Sequence, residues 1–175
     1  MHLTVGSKVV YSSQGPCLIG PIVERVINGR PMSFYPLAFL IDRGVECLVP
    51  VDKLESSARP LLERSELPKL LRHLAKSATT ARNWKQRDVD NTRLLASGSA
   101  FDLAEIVASL TFLSRGKPLL TRDNQMLEKA RKLLVCEISE VIGETENAAG
   151  QLIDQALDNQ ADSPTRTSDT DLRST

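Results

Sequence analysis

Apolar and polar positions follow two different periods along this chain. Up to about residue 57 they come in short runs broken by turn residues; beyond it they recur at the three- and four-residue spacing of helices. Val5-Gly6-Ser7-Lys8-Val9-Val10-Tyr11 is a β-branched run after a glycine turn, and Ser12-Ser13-Gln14-Gly15-Pro16 is turn chemistry. A second strand is expected from Cys17 to Ile27, with Ile22 and Val26 recurring along it. Asn28-Gly29 then supplies the two positive-φ residues of a type I′ hairpin. A third strand follows near Ser33 to Ile41, where Pro36 marks an edge or a bulge. After the turn Asp42-Arg43-Gly44, a fourth strand spans Val45 to Val51, and Pro50 ends its pairing.

The second part carries helical stripes. Leu67, Leu70, Leu71 and Leu74 lie on one face of a segment ending near Lys76, with Ser65 as its expected cap and Pro68 in its first turn. Ser77 to Asn83 is a polar connection. A second helix is expected from Trp84 to Ala96, stopped by Gly98. A third carries Leu103, Ile106, Val107 and Leu110, with Ser99 and Asp102 in the spacing of a capping box. Gly116-Lys117-Pro118 ends it. Thr121 is the expected cap of a fourth helix with Met126, Leu127, Ala130, Leu133, Leu134 and Ile138 in register; a fifth runs near Asn147 to Asn159. The fold class is therefore α+β. A small Tudor/SH3-like β-barrel over 1–57 is followed by an all-α domain of about five helices over 58–160. Residues 161–175, rich in Ser, Thr and Asp, are expected to be a disordered tail.

Formal net charge is zero over 175 residues, but the charge is unevenly laid out. Residues 59–93 hold nine Lys/Arg against four Asp/Glu, and residues 115–132 hold six against two. Residues 133–171 hold nine acids and one arginine. This layout suits one basic docking face on an otherwise acidic molecule. No apolar run reaches the length of a membrane span and no secretory leader pattern opens the chain, so a cytoplasmic protein is expected. Cys17, Cys47 and Cys136 form no Cys-x-x-Cys pair and are expected to be small buried apolar residues, with no metal site and no cofactor. His2 and His73 lack a nucleophile nearby in sequence, and no phosphate-binding loop, nucleophile elbow or zinc motif is present. Asp88 and Asp90, two apart on a helix, do not share a face. An enzymatic role is not expected.

What remains is Trp84, the single tryptophan in a chain that is only 4% aromatic. It stands in Arg82-Asn83-Trp84-Lys85-Gln86-Arg87, at the start of a helix and among cations. A flat apolar ring flanked by positive charge is suited to wedge against bases while its neighbours hold phosphates. The alternative is that the indole packs on its own domain and the cations are a solvated face.

A barrel opening with Val5-Gly6-Ser7-Lys8-Val9-Val10-Tyr11, then a helical domain with Asn83-Trp84-x-x-Arg87, Leu94-Leu95-Ala96-Ser97-Gly98 and Leu127-Glu128-Lys129-Ala130-Arg131, resembles the CarD/CdnL family of bacterial transcription regulators. The resemblance covers about residues 1–159. It implies that the barrel docks on the β subunit of RNA polymerase, which would associate the protein with the nucleoid. It further implies that the helical domain lies on promoter DNA at the upstream edge of the melted region and stabilises the open complex without reading sequence. Carried over, Trp84 is the minor-groove wedge. Lys85, Arg87, Arg82 and Asn83 are its DNA-contacting neighbours, and Arg25 with Leu48, Val49 and Pro50 faces polymerase. Leu48 stands where some members carry a second polymerase-contacting arginine, which leaves strand pairing to do more of the docking. The other reading is an adaptor that binds polymerase without touching DNA; Asp88, Asp90 and the zero net charge favour it. A monomer without membrane or small-molecule partners is expected.

Overall fold

The computed structural model describes residues 3–76 and 83–161. Arg82, most of the polar connection expected at 77–83, and all but the first residue of the expected tail lie outside them. The strands β1 (Lys8–Tyr11), β2 (Gly15–Ile19), β3 (Val23–Ile27), β4 (Arg30–Phe39), β5 (Glu46–Pro50) and β6 (Ala58–Pro60) form one antiparallel sheet. Its order is β3-β4-β2-β1-β6, with β5 also on β4. The expected second strand is two strands. Gly20-Pro21 interrupts it, and the Gly20 amide donates to the Pro36 carbonyl at 2.8 Å. The β3–β4 hairpin turns through Asn28 (φ 51°) and Gly29 (φ 75°), the left-handed pair a type I′ turn requires.

The barrel is open rather than closed. The chain leaves β5 at Pro50 and enters a short helix, α1 (Val51–Ser57), which leads directly into β6. Among the described residues β5 and β6 do not pair with each other across the gap between them. The gap carries the helix instead, and Leu54 of α1 is buried with Val9, Cys17, Ile19, Leu37 and Val49 in the core of the sheet. Sequence periodicity missed α1, because seven residues beginning with Val-Asp after a proline read as the end of a strand. β6 pairs with β1, so the sheet extends past the expected boundary at residue 57.

Among the described residues five helices follow: α2 (Leu67–Lys76), α3 (Trp84–Ser97), α4 (Ala100–Gly116), α5 (Thr121–Ile142) and α6 (Glu146–Ala161). α4 is central; Leu103, Ile106, Val107 and Leu110 pack with Leu70 and Leu74 of α2, Leu134 and Ile138 of α5, and Ile153 of α6. Two expected caps are placed differently, and a third, Ser99, stands at its N-cap position without a side-chain bond. Glu63 and Glu66 form a capping box on a 3₁₀ turn (Arg64–Glu66) ahead of α2, in place of a Ser65 cap. Ser99 precedes α4 but makes no side-chain cap bond; the neighbouring Ser97 hydroxyl donates to Asp102 and accepts the Ser99 amide at 3.1 Å. Leu120, not Thr121, occupies the N-cap of α5.

Sheet and helices are joined by a polar clasp. Glu137 of α5, 1% exposed, accepts Arg59 Nη1 at 2.7 Å and Nη2 at 2.8 Å, and also the Leu62 amide at 2.9 Å. Arg59 stands on β6, and its Nε donates at 2.8 Å to the carbonyl of Gly98, the residue that caps α3. Lys8 pairs with Glu140, and Lys132 lies 3.0 Å from Asp42. Gly98 is left-handed (φ +70°), and a Cβ there would lie 2.9 Å from the Ser12 carbonyl oxygen. We expect Gly98→Ala to cost about 1–2 kcal/mol, read as a lower urea midpoint at unchanged m-value.

Cys17 and Cys136 are buried as expected, whereas Cys47 is half-buried. Burial, together with neighbouring Cys47, pushes the Cys17 thiol up to about 12. Burial and the nearby carboxylates of Glu146, Glu140 and Glu137 do the same for Cys136, also to about 12. Both are protonated, inert core side chains at neutral pH. Among the described residues no helix is long and apolar enough to cross a membrane.

Candidate nucleic-acid interface

α3 starts where it does because Asn83 caps it. The Asn83 backbone is extended (ψ 123°), and its Oδ1 accepts the Lys85 amide at 3.0 Å, satisfying one of the donors that a helix start leaves open. Trp84 is thereby the first helical residue. It is 46% exposed and projects from the end of the helix, outside the core cluster of the helical domain. Lys85 Nζ sits 5.6 Å from the indole centroid, within cation–π range.

Arg87, one turn on, points the other way. The expectation that it contacts phosphate does not fit its placement: it is 5% exposed. Its Nε donates to Asp123 Oδ1 at 3.1 Å and its Nη2 to Asp123 Oδ2 at 2.6 Å. This two-pronged pair ties the first turn of α3 to the first turn of α5. The motif Asn83-Trp84-x-x-Arg87 is thus divided in labour. Asn83 starts the helix, Arg87 fixes its direction, and Trp84 and Lys85 face solvent. The two acids that weighed against a DNA face are both engaged: Asp88 takes Arg122 Nη2 at 3.1 Å, and Asp90 accepts Gln86 Nε2 at 2.9 Å.

The beginnings of α3 and α5 therefore converge. Between them lies a cleft of about 240 Å³ lined by Trp84, Asp88, Leu120, Arg122 and Asp123. Both helices direct their amide ends here, the positive poles of their dipoles. α3 has no acid in its first turn, and the Asp123 of α5 is neutralised by Arg87. The result is an exposed apolar surface, Trp84 with Leu120, rimmed by Lys85 and Arg122. Leu120 and Arg122 as parts of it were missed by sequence reasoning. Nothing local signals that positions 36 residues apart will meet.

On the sheet, the register decides which of Arg25, Leu48, Val49 and Pro50, the residues expected at a polymerase contact, share a face. Arg25 is opposite Met32, and Leu48 is opposite Pro36, on the two sides of β4. Because side chains alternate along a strand, Arg25, Met32, Pro36 and Leu48 lie on one outer face, joined by Leu18 through Ala38. Leu18, Met32 and Leu48 are exposed there. Val49 faces the other way and is 3% exposed, so its side chain is not part of this outer face; Pro50 is half-buried beside it. β3 ends the sheet with its outer edge unpaired among the described residues.

The comparisons bear on both parts of the chain. Residues 3–62 match the CarD-like/TRCF RID domain and residues 68–154 match the CarD C-terminal domain. The chain belongs to the CarD family. It is also similar to YdeB, a candidate transcription factor of Bacillus subtilis (strain 168), with 28% identity over 145 residues, covering 81% of this chain and 94% of that protein. A CarD family member is a transcription-related protein, and the cleft around Trp84 and the outer sheet face lie one in each of the two matched domains.

Proposed function

We propose that this CarD family member is a non-enzymatic regulator that docks through its sheet on the β subunit of bacterial RNA polymerase. From there it lays the Trp84 end of its helical domain against promoter DNA, in the minor groove at the upstream edge of the bubble. The observation that carries the proposal is the posture of Trp84: an exposed indole at a helix start, with Lys85 over its ring and its helix tied by the buried Arg87–Asp123 pair. An apolar wedge repays part of the cost of unstacking a base step, a few kcal/mol. Two weak contacts, one to polymerase and one to DNA, reinforce each other through effective concentration, so a net charge of zero is tolerable. A factor that holds the melted state more tightly than the closed one shifts that equilibrium by the difference in affinity; about 1.4 kcal/mol gives tenfold.

The experiment compares open-complex lifetime on a promoter with wild type, Trp84→Ala and Arg25→Glu, alongside capture of each by the β-subunit lobe. Trp84→Ala is expected to keep polymerase binding and lose roughly tenfold in stabilisation, the scale of a 1.4 kcal/mol contact. Arg25→Glu is expected to lose both. One observation favours the adaptor reading without DNA contact: Arg87 is committed inside the fold and Arg122 is paired with Asp88, which thins the cationic rim. Unaltered open-complex lifetime with Trp84→Ala would establish that reading instead. No reaction is assigned to His73, which contacts Glu105 at 3.2 Å and the edge of Phe101 within the helical domain.

A further inference from the structure

We propose that Leu120 is a second apolar contact to DNA, forming with Trp84 a two-residue wedge. This inference rests on the DNA-binding reading above. Three observations carry it. Leu120 lines the same cleft as Trp84 although it comes from the other helix start. It is 54% exposed, while its neighbour Leu119 packs against the core of the helical domain, so the segment does not need Leu120 for anchoring. And it sits at the N-cap of α5, where its side chain makes no cap hydrogen bond.

The last point is the most telling. Ser, Thr, Asp and Asn are favoured at this position because they satisfy an open amide, whereas leucine satisfies none and exposes apolar surface. A position that gives up local stability for an exposed hydrophobe marks a place where another demand outweighs folding. The occupant that fits is duplex DNA at a minor-groove edge. The apolar pair meets sugar and base faces, while Lys85 and Arg122 on the rim and the two helix starts meet phosphates. Arg122 reaches its phosphate by exchanging Asp88 for it, so Asp88 keeps the cation oriented until DNA arrives.

Leu120→Asn separates this role from a structural one, because the two predict opposite signs. Asparagine supplies the missing cap, so the variant is expected to unfold at an equal or higher urea concentration than wild type. Its stabilisation of the open complex is expected to fall about fivefold, roughly the worth of burying the exposed half of a leucine. Leu120→Ala, which shortens the side chain without adding a cap, is expected to show the same functional loss. Polymerase capture is unchanged in both. Full open-complex stabilisation by Leu120→Asn and Leu120→Ala, in an assay where Trp84→Ala loses it, overturns the inference and leaves the DNA-binding reading standing. If Trp84→Ala also retains full stabilisation, it is the DNA-binding reading itself that fails, and the Leu120 contact falls with it.

Discussion

Removing Asp123 is expected to destabilise this protein by about 3–5 kcal/mol, the largest effect of any single substitution at the site. Both members of the Arg87–Asp123 pair have side chains less than a tenth exposed. Asp123→Ala removes the carboxylate that takes two nitrogens of a buried guanidinium. Arg87→Ala is expected to cost less, because the Asp123 it leaves behind lies in the first turn of α5, where the open amides and the helix dipole still favour a negative charge. An apolar double replacement, Arg87→Met with Asp123→Leu, is expected to recover most of the loss, since burying two charges is expensive before they attract each other. Urea titration of the four proteins at constant m-value checks the ordering. The functional consequence is more specific than unfolding. With the starts of α3 and α5 untied, Trp84 and Leu120 no longer present one surface, and stabilisation of the open complex is expected to drop even where the double variant is as stable as wild type. Restored stability together with full activity would show that the pair serves folding alone.

Glu137→Gln or Glu137→Leu is expected to cost about 2–4 kcal/mol. The carboxylate takes both terminal nitrogens of Arg59 and the Leu62 amide from inside the fold. The Arg59 side chain keeps 29% of its exposure, so water can rescue part of the arginine, which keeps the cost below that of a fully buried pair. In Glu137→Leu the amide of Leu62 is also left without its acceptor, whereas Glu137→Gln keeps a carbonyl oxygen for it. The clasp also has a mechanical role. One guanidinium holds the sheet through β6, α5 through Glu137, and the end of α3 through the Gly98 carbonyl. α3 is thus gripped at its start by Asp123 and at its end by Arg59, and its orientation is set by the sheet that the proposal docks on polymerase. Glu137→Gln is therefore expected to keep polymerase capture while reducing open-complex stabilisation below the level that its loss of folded protein explains. A distance measured by paired fluorophores on β3 and α3 is expected to broaden in the variant. An unchanged distance distribution with full activity would count against the clasp as a positioning device.

Much of this molecule can be read from the chain alone, and the reason is locality. A helix or a hairpin is decided within a turn or two, by apolar spacing and by residues that tolerate particular dihedrals. Hence the leucine stripes of α2, α4 and α5, the left-handed Asn28-Gly29 turn, and the stop at Gly98 all stand where the pattern predicts them. The segment around Trp84 could be singled out for the same reason: an aromatic ring between cations at a helix start is a local arrangement. The family, too, was legible, because its motifs are short and contiguous.

Tertiary structure decided what local pattern leaves open. α1 lies in the gap between β5 and β6 because its Leu54 completes a core assembled from five separate strand residues, and the barrel stays open around it. Arg87 and Lys85 look equivalent in the sequence, two cations within one turn of Trp84. Only the arrival of Asp123 from α5 makes the first a buried strut and leaves the second over the indole. Arg59 and Glu137, 78 positions apart, meet on the same principle. A charge finds its place by whichever partner packing brings within reach, and the strength of that pairing depends on how completely water is excluded around it. The sequence alone thus determined most of the elements, the domain classes and the segment around Trp84; packing determined that the indole is exposed, which charged residues became structure and which remained free to act.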